Sequence, residues 1–336
     1  MITATPEFWG RPPGLAARLL TPLGGVWNAF GYLHRALSQP YHAPVPVVCV
    51  GNLVAGGAGK TPVVLSLADW LAERGISVGV VTRGYGGTLA GPLRVDPRKH
   101  GWRKVGDEAL LIADRAPCWI ARYRAQGVRD AASNGARAIL LDDGFQNPAV
   151  EKTLSLVVVD AAYGFGNGRV IPAGPLRENL ANGLARAAAV VLIGDGPAPP
   201  EIGAQQQILR ATLAPVNGDQ FAGRSLLAFA GIGRPEKFFA TLRAIDAQLV
   251  ATRAFPDHHP YSVGEIEALR RAAYRAKARL VTTRKDIVRV PLDLRPDIGV
   301  LEVEVRWKDP AALEGLMAPI MAVHGGYSSD AAAQGC

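Results

Sequence analysis

Lys60 and Thr61 end a glycine-rich turn, A-G-G-A-G-K-T from Ala55, that follows an apolar run beginning at Val45. A strand, a glycine turn, then a lysine and a hydroxyl residue at the head of a helix make a cradle for nucleotide phosphates. The backbone N–H groups of Ala55, Gly56, Gly57, Ala58 and Gly59 can close around phosphate oxygens, Lys60 can reach the β- and γ-phosphates, and the Thr61 hydroxyl can ligate Mg²⁺. The usual G-x-x-x-x-G-K-[ST] spacing asks for glycine at position 54, where this chain has Val54. An ordinary glycine-rich strand-to-helix turn is the bland alternative.

Asp142 and Asp143 follow the apolar run Ala138–Leu141. An acid at a strand's C-terminal end can hold Mg²⁺ directly or through water, and ligands in open parallel sheets bind at those ends, so Lys60 and Asp142 can meet. Asp107, after Gly106, opens an expected helix, where an acid commonly just caps. The long loop Tyr163–Glu178 carries Arg169 and Arg177, and an arginine on such a loop can neutralise charge in phosphoryl transfer. Asp257-His258-His259 lies between a strand and a helix. It suits an acid–imidazole base relay or a plain turn, and no further His or Cys cluster completes a zinc site around it.

These residues need a scaffold of strands ending at one edge. Thr61–Arg74 reads as the helix after the phosphate loop, and Ile76–Thr82, Pro117–Ala121, Arg137–Leu141, Leu154–Asp160 and Ala188–Ile193 read as buried strands separated by helices. The alternation predicts an α/β fold, a P-loop NTPase-like doubly wound parallel sheet. After the proline-rich stretch Gly194–Ile202 it resumes with strands Ser225–Ala230, Gln248–Phe255, Arg279–Thr283 and Val300–Val305 and helices Pro235–Ala244 and Ser262–Ala276. The expected organisation is an amino-terminal helical segment over 1–40, a nucleotide-binding domain over 41–205, a smaller α/β domain over 206–324 and a disordered tail over 325–336.

The chain has 336 residues, 49% hydrophobic and 20% charged, as a folded globular protein does. Three scattered cysteines suggest a reducing compartment. A net charge of +8 favours an anionic partner, and with no nucleic-acid signature present, a phosphorylated substrate or anionic lipid is preferred to nucleic acid. No segment points to an obligate protein partner. From Leu15, apolar residues Leu19, Leu23, Val26, Phe30, Leu33 and Leu37 recur at helical spacing, with Thr21 and Pro22 expected to restart the helix. With Trp27, Tyr32, Arg18 and Arg35 nearby, the stripe suits a helix lying in a lipid interface or one packed on the protein's own core.

The ordered runs G-N-L-V-A-G-G-A-G-K-T-P, T-R-G-Y-G-G, V-G-D-E, L-D-D-G-F-Q-N, G-F-G-N-G-R…P-A-G-P-L-R-E, A-G-I-G-R-P-E-K-F-F, F-P-D-H-H-P-Y-S and V-T-T-R-K-D span roughly Val45–Arg289. Together they resemble the tetraacyldisaccharide 4′-kinase family, the lipid A 4′-kinases. The resemblance implies transfer of the γ-phosphate of ATP, with Mg²⁺, to the 4′-hydroxyl of a tetraacylated disaccharide 1-phosphate. It places that reaction peripherally on the cytoplasmic face of a Gram-negative inner membrane and favours the lipid reading of the amino-terminal helix. By position it implies phosphate and metal roles for Lys60, Thr61 and Asp142, a base role for Asp107 and a partner role for His258. Arg177, Glu108, Arg124, Asp143, Gln146 and Glu178 become further active-site candidates. This chain has Asn147 where many members have His, and Arg284 where Glu is common. Two rival readings, a membrane-associated nucleotide switch and a soluble ATP-dependent ligase, leave the D-H-H turn and the long loop or the amino-terminal stripe without a purpose.

Overall fold

A computed structural model describes residues 6–325. Its strands are β1 (Val47–Gly51), β2 (Val78–Thr82), β3 (Leu93–Arg94), β4 (Cys118–Ile120), β5 (Ala138–Asp142), β6 (Leu154–Asp160), β7 (Ala189–Ile193), β8 (Ile208–Pro215), β9 (Ser225–Ala230), β10 (Gln248–Ala254), β11 (Arg279–Thr283), β12 (Gly299–Leu301) and β13 (Val303–Trp307). The helices are α1 (Leu15–Leu37), α2 (Lys60–Glu73), α3 (Trp102–Val105), α4 (Asp107–Ala113), α5 (Arg124–Ser133), α6 (Leu180–Ala185), α7 (Pro235–Ala244), α8 (Val263–Arg275), α9 (Arg284–Ile287) and α10 (Pro310–Gly325).

Nine strands form one sheet in the order β13-β8-β7-β6-β1-β5-β2-β4-β3, parallel except at its two edges. Alternate residues of the same strand feed opposite faces, so nearly continuous apolar runs are required. Val48 and Val50 pack with Val63, Leu67 and Leu71 of α2, whereas Val47 and Cys49 pack with Phe145, Val150 and Leu184 on the other face. The order places β1 between β5 and β6, so the chain runs from β1 past β5 to reach β2 and leaves a crevice at the strands' C-terminal ends.

The second sheet has four parallel strands in the order β10-β9-β11-β12. Phe238, Phe239 and Leu242 of α7 cover one face, and Ile266, Leu269 and Ala273 of α8 cover the other.

Three expectations are corrected. The division at 205/206 is misplaced, because β8 and β13 pair antiparallel in the large sheet and Leu313, Met317 and Ile320 of α10 pack in its core. The smaller sheet is thus inserted between two strands of the larger one. The run Val300–Val305 is not one strand: β12 joins the small sheet and β13 the large one, with Glu302 between them accepting from Val216 N and donating its own N–H to Asn217 Oδ1. The amino-terminal helix does not restart at Pro22. It runs unbroken from Leu15 to Leu37 with Pro22 inside, and the Thr21 hydroxyl donates to the Ala17 carbonyl at 2.8 Å instead of capping a new turn. The expected tail lies outside the described residues, apart from Gly325 at the end of α10.

Candidate active site

The phosphate loop joins β1 to α2. Gly56 and Gly59 adopt positive φ of 112° and 86°, conformations that other residues adopt only with strain, and Gly59 caps α2 so that Lys60 stands at its first turn. Val54, at the position where the usual motif has glycine, makes an antiparallel bridge to Leu176 and is buried. Its φ is not positive, so a side chain costs nothing there.

The Lys60 ammonium lies 3.2 Å from Asn52 Oδ1 and 3.4 Å from Asp143 Oδ1. Asn52, fully buried, also donates to the carbonyls of Val54 and Gly56, so one amide shapes the loop and holds its lysine. Sequence reading overlooked Asn52; its signal was one amide set in an apolar run.

Asp142 and Asp143 end β5 beside this loop. Asp142 is buried, and both its carboxylate oxygens lack a hydrogen-bond partner. Burial, reinforced by the charges of Glu108 and Asp143 and opposed by Lys60 and Arg124, pushes its carboxyl up to about 7. Asp143 goes the other way: Lys60 and Arg177 outweigh its burial and hold it down at about 2. The Arg177 guanidinium donates to both Asp143 oxygens, at 3.1 and 3.2 Å. Arg124 is buried at the start of α5, donating to the Ala121 carbonyl at 2.6 Å, and Asp143 and Asp142 oppose the downward pull of burial on its pKa.

Glu178 and Gln146 are tied up differently. Glu178 is buried and accepts from Gln146 Nε2 at 3.1 Å and from Arg186, with Arg35 of α1 at 3.4 Å. Gln146 also donates to the Asn52 carbonyl at 3.0 Å. These contacts fasten the Tyr163–Glu178 loop to the phosphate loop, and so do the Ala55 N–H to Pro175 carbonyl bond at 2.8 Å and the Arg177 N–H to Leu53 carbonyl bond at 2.8 Å.

The smaller unit faces the same crevice. His258, with φ of 58°, sits on the turn after β10, and its Nδ1 lies 2.9 Å from Oδ2 of Asp107 at the start of α4. Asp107 is buried; its Oδ1 accepts the adjacent Glu108 N–H and also faces His258 Nδ1 at 3.1 Å, and with Gly106 at the N-cap the carboxylate does not cap the helix turn as the simplest sequence reading has it. Burial alone would raise the Asp107 carboxyl; the hydrogen bond from His258 and the charges of Lys285 and Arg289 reverse this and lower it. His259 points elsewhere, to Glu265 Oε1 at 3.0 Å. Glu108 pairs with Lys285 at 3.0 Å, and the Tyr85 ring lies against the His258 ring with centroids 5.1 Å apart.

A second set of contacts joins the units by the phosphate loop. Gly233 approaches so closely that a Cβ on it would lie 3.1 Å from the Gly57 nitrogen. Arg234 donates to Asp160 at 2.6 Å and stacks over Tyr163, and Lys237 also pairs with Asp160. Arg284, standing where Glu is common, pairs with Asp114 just after α4 at 3.2 Å and with Glu302.

A phosphate loop, an unpartnered buried acid and an acid–imidazole pair thus converge on one crevice. The sequence profile of tetraacyldisaccharide-1-phosphate 4′-kinase matches residues 16–321. The chain belongs to that family. A tetraacyldisaccharide 4′-kinase of Rhodospirillum centenum is 52% identical over 94% of this chain and 96% of its own length. One from Rhodospirillum rubrum is 51% identical over 93% of this chain and 96% of its own length. A crystal structure of the "apo" form of LpxK from Aquifex aeolicus in complex with ATP superposes with a TM-score of 0.73 at 25% identity, covering 91% of this chain and 99% of that one. The family's reaction, phosphorylation of the 4′-hydroxyl of tetraacyldisaccharide 1-phosphate in lipid A synthesis, is the reaction of this chain, and the ordered motifs of the sequence had pointed to it. Sequence reading gave no role to two residues near the carboxylates: Lys285 of the V-T-T-R-K-D run, beside Glu108, and Arg289, three residues beyond that run, with its Nε 3.4 Å from Asp107.

Proposed function

We propose that Asp107 is the base that takes the proton of the 4′-hydroxyl, with His258 of the smaller unit orienting and tuning it, and that the phosphate loop holds ATP in line with that hydroxyl. The observation that carries this reading is the 2.9 Å contact between Asp107 and His258 at the crevice that the phosphate loop also faces. In the step, the hydroxyl oxygen forms a bond to the γ-phosphorus, the bond from that phosphorus to the β,γ-bridging oxygen breaks, and ADP leaves with the bond's electron pair. The hydroxyl proton passes to the Asp107 carboxylate. Lys60 exchanges Asn52 and Asp143 for the β- and γ-phosphates, and Arg177 neutralises charge on the moving phosphoryl group.

The site fits Mg²⁺. Both oxygens of Asp142 are buried and without a donor, which is the condition of a carboxylate waiting for a cation, and Mg²⁺ characteristically binds one or two carboxylates together with substrate phosphates. Asp142 and Thr61 would hold the ion, which supplies positive charge to the phosphates.

The disaccharide headgroup enters between the two units, and closure of the smaller unit over it excludes water that would otherwise hydrolyse ATP. Helix α1 lies peripherally on the cytoplasmic face of the inner membrane. Its residues Leu15, Leu19, Phe30 and Leu37 are between 68% and 75% exposed, so the apolar stripe is not part of the protein's own core. No helix among the described residues is long and apolar enough to cross a membrane.

The test is transfer of label from γ-labelled ATP to the tetraacyldisaccharide 1-phosphate in detergent. Asp107→Asn and His258→Ala should retain ATP binding and lose turnover by about 100-fold or more, the lower range for positioned acid–base groups. Full turnover by a folded Asp107→Asn enzyme overturns the assignment.

A further inference from the structure

We propose that Lys285 is a positioning residue: its ammonium occupies Nε2 of His258 and so fixes the imidazole with its proton on Nδ1, donated to Asp107. The inference rests on the reading that Asp107 and His258 serve the reaction, although the tautomer itself does not depend on it.

Lys285 stands in the first turn of α9, a turn secured by Thr283, whose hydroxyl accepts the Asp286 N–H at 3.1 Å. Its Nζ lies 3.0 Å from Glu108 Oε1, 3.3 Å from His258 Nε2 and 3.7 Å from Asp257 Oδ1. Burial, which would favour the neutral amine, is outweighed by the negative charges of Glu108, Asp107 and Asp257, so the pKa is raised and the group stays an ammonium.

The tautomer follows from the inventory of donors. An ammonium has only donors, so the nitrogen that faces it must accept. An ionised carboxylate has only acceptors, so Nδ1, facing Asp107 Oδ1 and Oδ2 at 3.1 and 2.9 Å, must donate. The other groups around the ring do not reverse this. Asp257 Oδ2 is 3.8 Å from Nε2, beyond hydrogen-bonding reach, and its other oxygen faces Lys285. Tyr85 contacts the ring by its π face, and Arg289 reaches Asp107, not the imidazole. With both nitrogens engaged, the imidazole has no free lone pair for the substrate. The proton of the acceptor hydroxyl then goes to Asp107, and His258 works by holding that carboxylate in place. With the opposite tautomer, an Nδ1 lone pair would confront the carboxylate and the pair would part.

The experiment uses full-length protein in detergent with ¹⁵N-labelled histidine, and the His258 signals are assigned by their loss in His258→Gln. Long-range ¹H–¹⁵N correlation at neutral pH should show the proton on Nδ1. Lys285→Met should give mixed tautomers and lower kcat by roughly ten- to a hundredfold, the worth of one hydrogen bond to a charged group, with KM for ATP unchanged. Lys285→Arg, which restores a cationic donor, should recover much of the loss. A proton on Nε2 in the unaltered protein overturns the proposal without need of a variant, so a misfolded Lys285→Met cannot shelter it. It is equally overturned if Lys285→Met keeps the Nδ1–H form and turns over within twofold of normal. Full activity in Asp107→Asn, with the Nδ1–H tautomer intact, would instead remove the catalytic reading and leave the role of Lys285 in orienting the ring.

Discussion

His258 Nδ1 and Asp107 Oδ2 lie 2.9 Å apart although 151 residues separate them in the chain. Asp107 opens α4 of the larger unit and His258 lies on the turn after β10 of the smaller, so neither unit alone contains the pair, and the proposed mechanism would tie proton removal to closure of the crevice. If the two residues act as a unit, the double variant Asp107→Asn/His258→Ala should lose little more turnover than the worse single variant. Steady-state kinetics on all three decide it. Losses that multiply would mean separate tasks.

Lys60 is held by Asn52 and Asp143 where a polyphosphate would otherwise engage it. Lys60→Ala should abolish transfer, because the loop contains no second mobile cation. Asn52→Ala removes the amide that fixes the Val54 and Gly56 carbonyls, so it should raise KM for ATP several-fold with a smaller change in kcat. An unchanged KM for ATP would mean that the glycine loop keeps its shape without Asn52.

The Asp107 carboxyl is lowered in the folded protein, which sets the sign of its contribution to stability. A group whose folded pKa is depressed binds protons less readily than in the unfolded chain, so its stabilisation is fully present above the unfolded value of about 3.9 and is lost as pH falls through the folded value. Urea midpoints should therefore differ between the unaltered protein and Asp107→Asn at pH 7, and the difference should shrink as the pH is taken below about 4. A difference that grows on acidification would contradict the ion-pair origin of the shift.

Much of the fold could be read from local sequence because parallel strands buried on both faces must be apolar throughout, and Leu154–Asp160, Ser225–Ala230 and Arg279–Thr283 are strands over those bounds. The misplaced domain boundary has a physical cause. β8 is only half-buried over most of its length and pairs antiparallel with β13, and that partnership spans an inserted sheet which no local pattern reports. Pro22 was misread for a related reason: proline disfavours a helix interior, yet Gly24 lets α1 approach Val170, whose carbonyl would lie 2.9 Å from a Cβ there, and this packing outweighs the local preference. At the site, residue types and spacing single out Lys60 and Asp142 as candidates, whereas a base role for Asp107 is suggested only by the family resemblance. Lys285 and Arg289, whose charges help lower the Asp107 carboxyl, emerge only when the two units are assembled, since Arg289 is a fully buried guanidinium beside a carboxylate 182 positions earlier, 289 less 107.

Helix α1 calls for a sharper test than its removal. On its inner side Trp27 donates its indole N–H to the Arg177 carbonyl at 3.0 Å, and Asn28 Oδ1 accepts the Asn179 N–H at 2.8 Å. Deleting Met1–Ser38 would take these contacts away together with the apolar stripe, and it would disturb the loop that carries Arg177. Replacing Leu19, Leu23 and Phe30 by serine leaves the inner contacts in place, because those side chains are 70%, 56% and 68% exposed. If the stripe inserts into lipid, the triple variant should bind anionic vesicles at least about a hundredfold more weakly, since three apolar side chains at about 1.5–3 kcal/mol each on full transfer give an upper range of about 4.5–9 kcal/mol, of which an interfacial helix realises a part. ATP binding and activity on detergent-dispersed substrate should stay near normal, while activity on substrate in bilayers falls. Vesicle flotation at low and high salt separates the apolar contribution from that of Arg18 and neighbouring basic residues, which salt screens. Unaltered vesicle binding by the triple variant would mean that the exposed stripe is not the surface that meets the membrane.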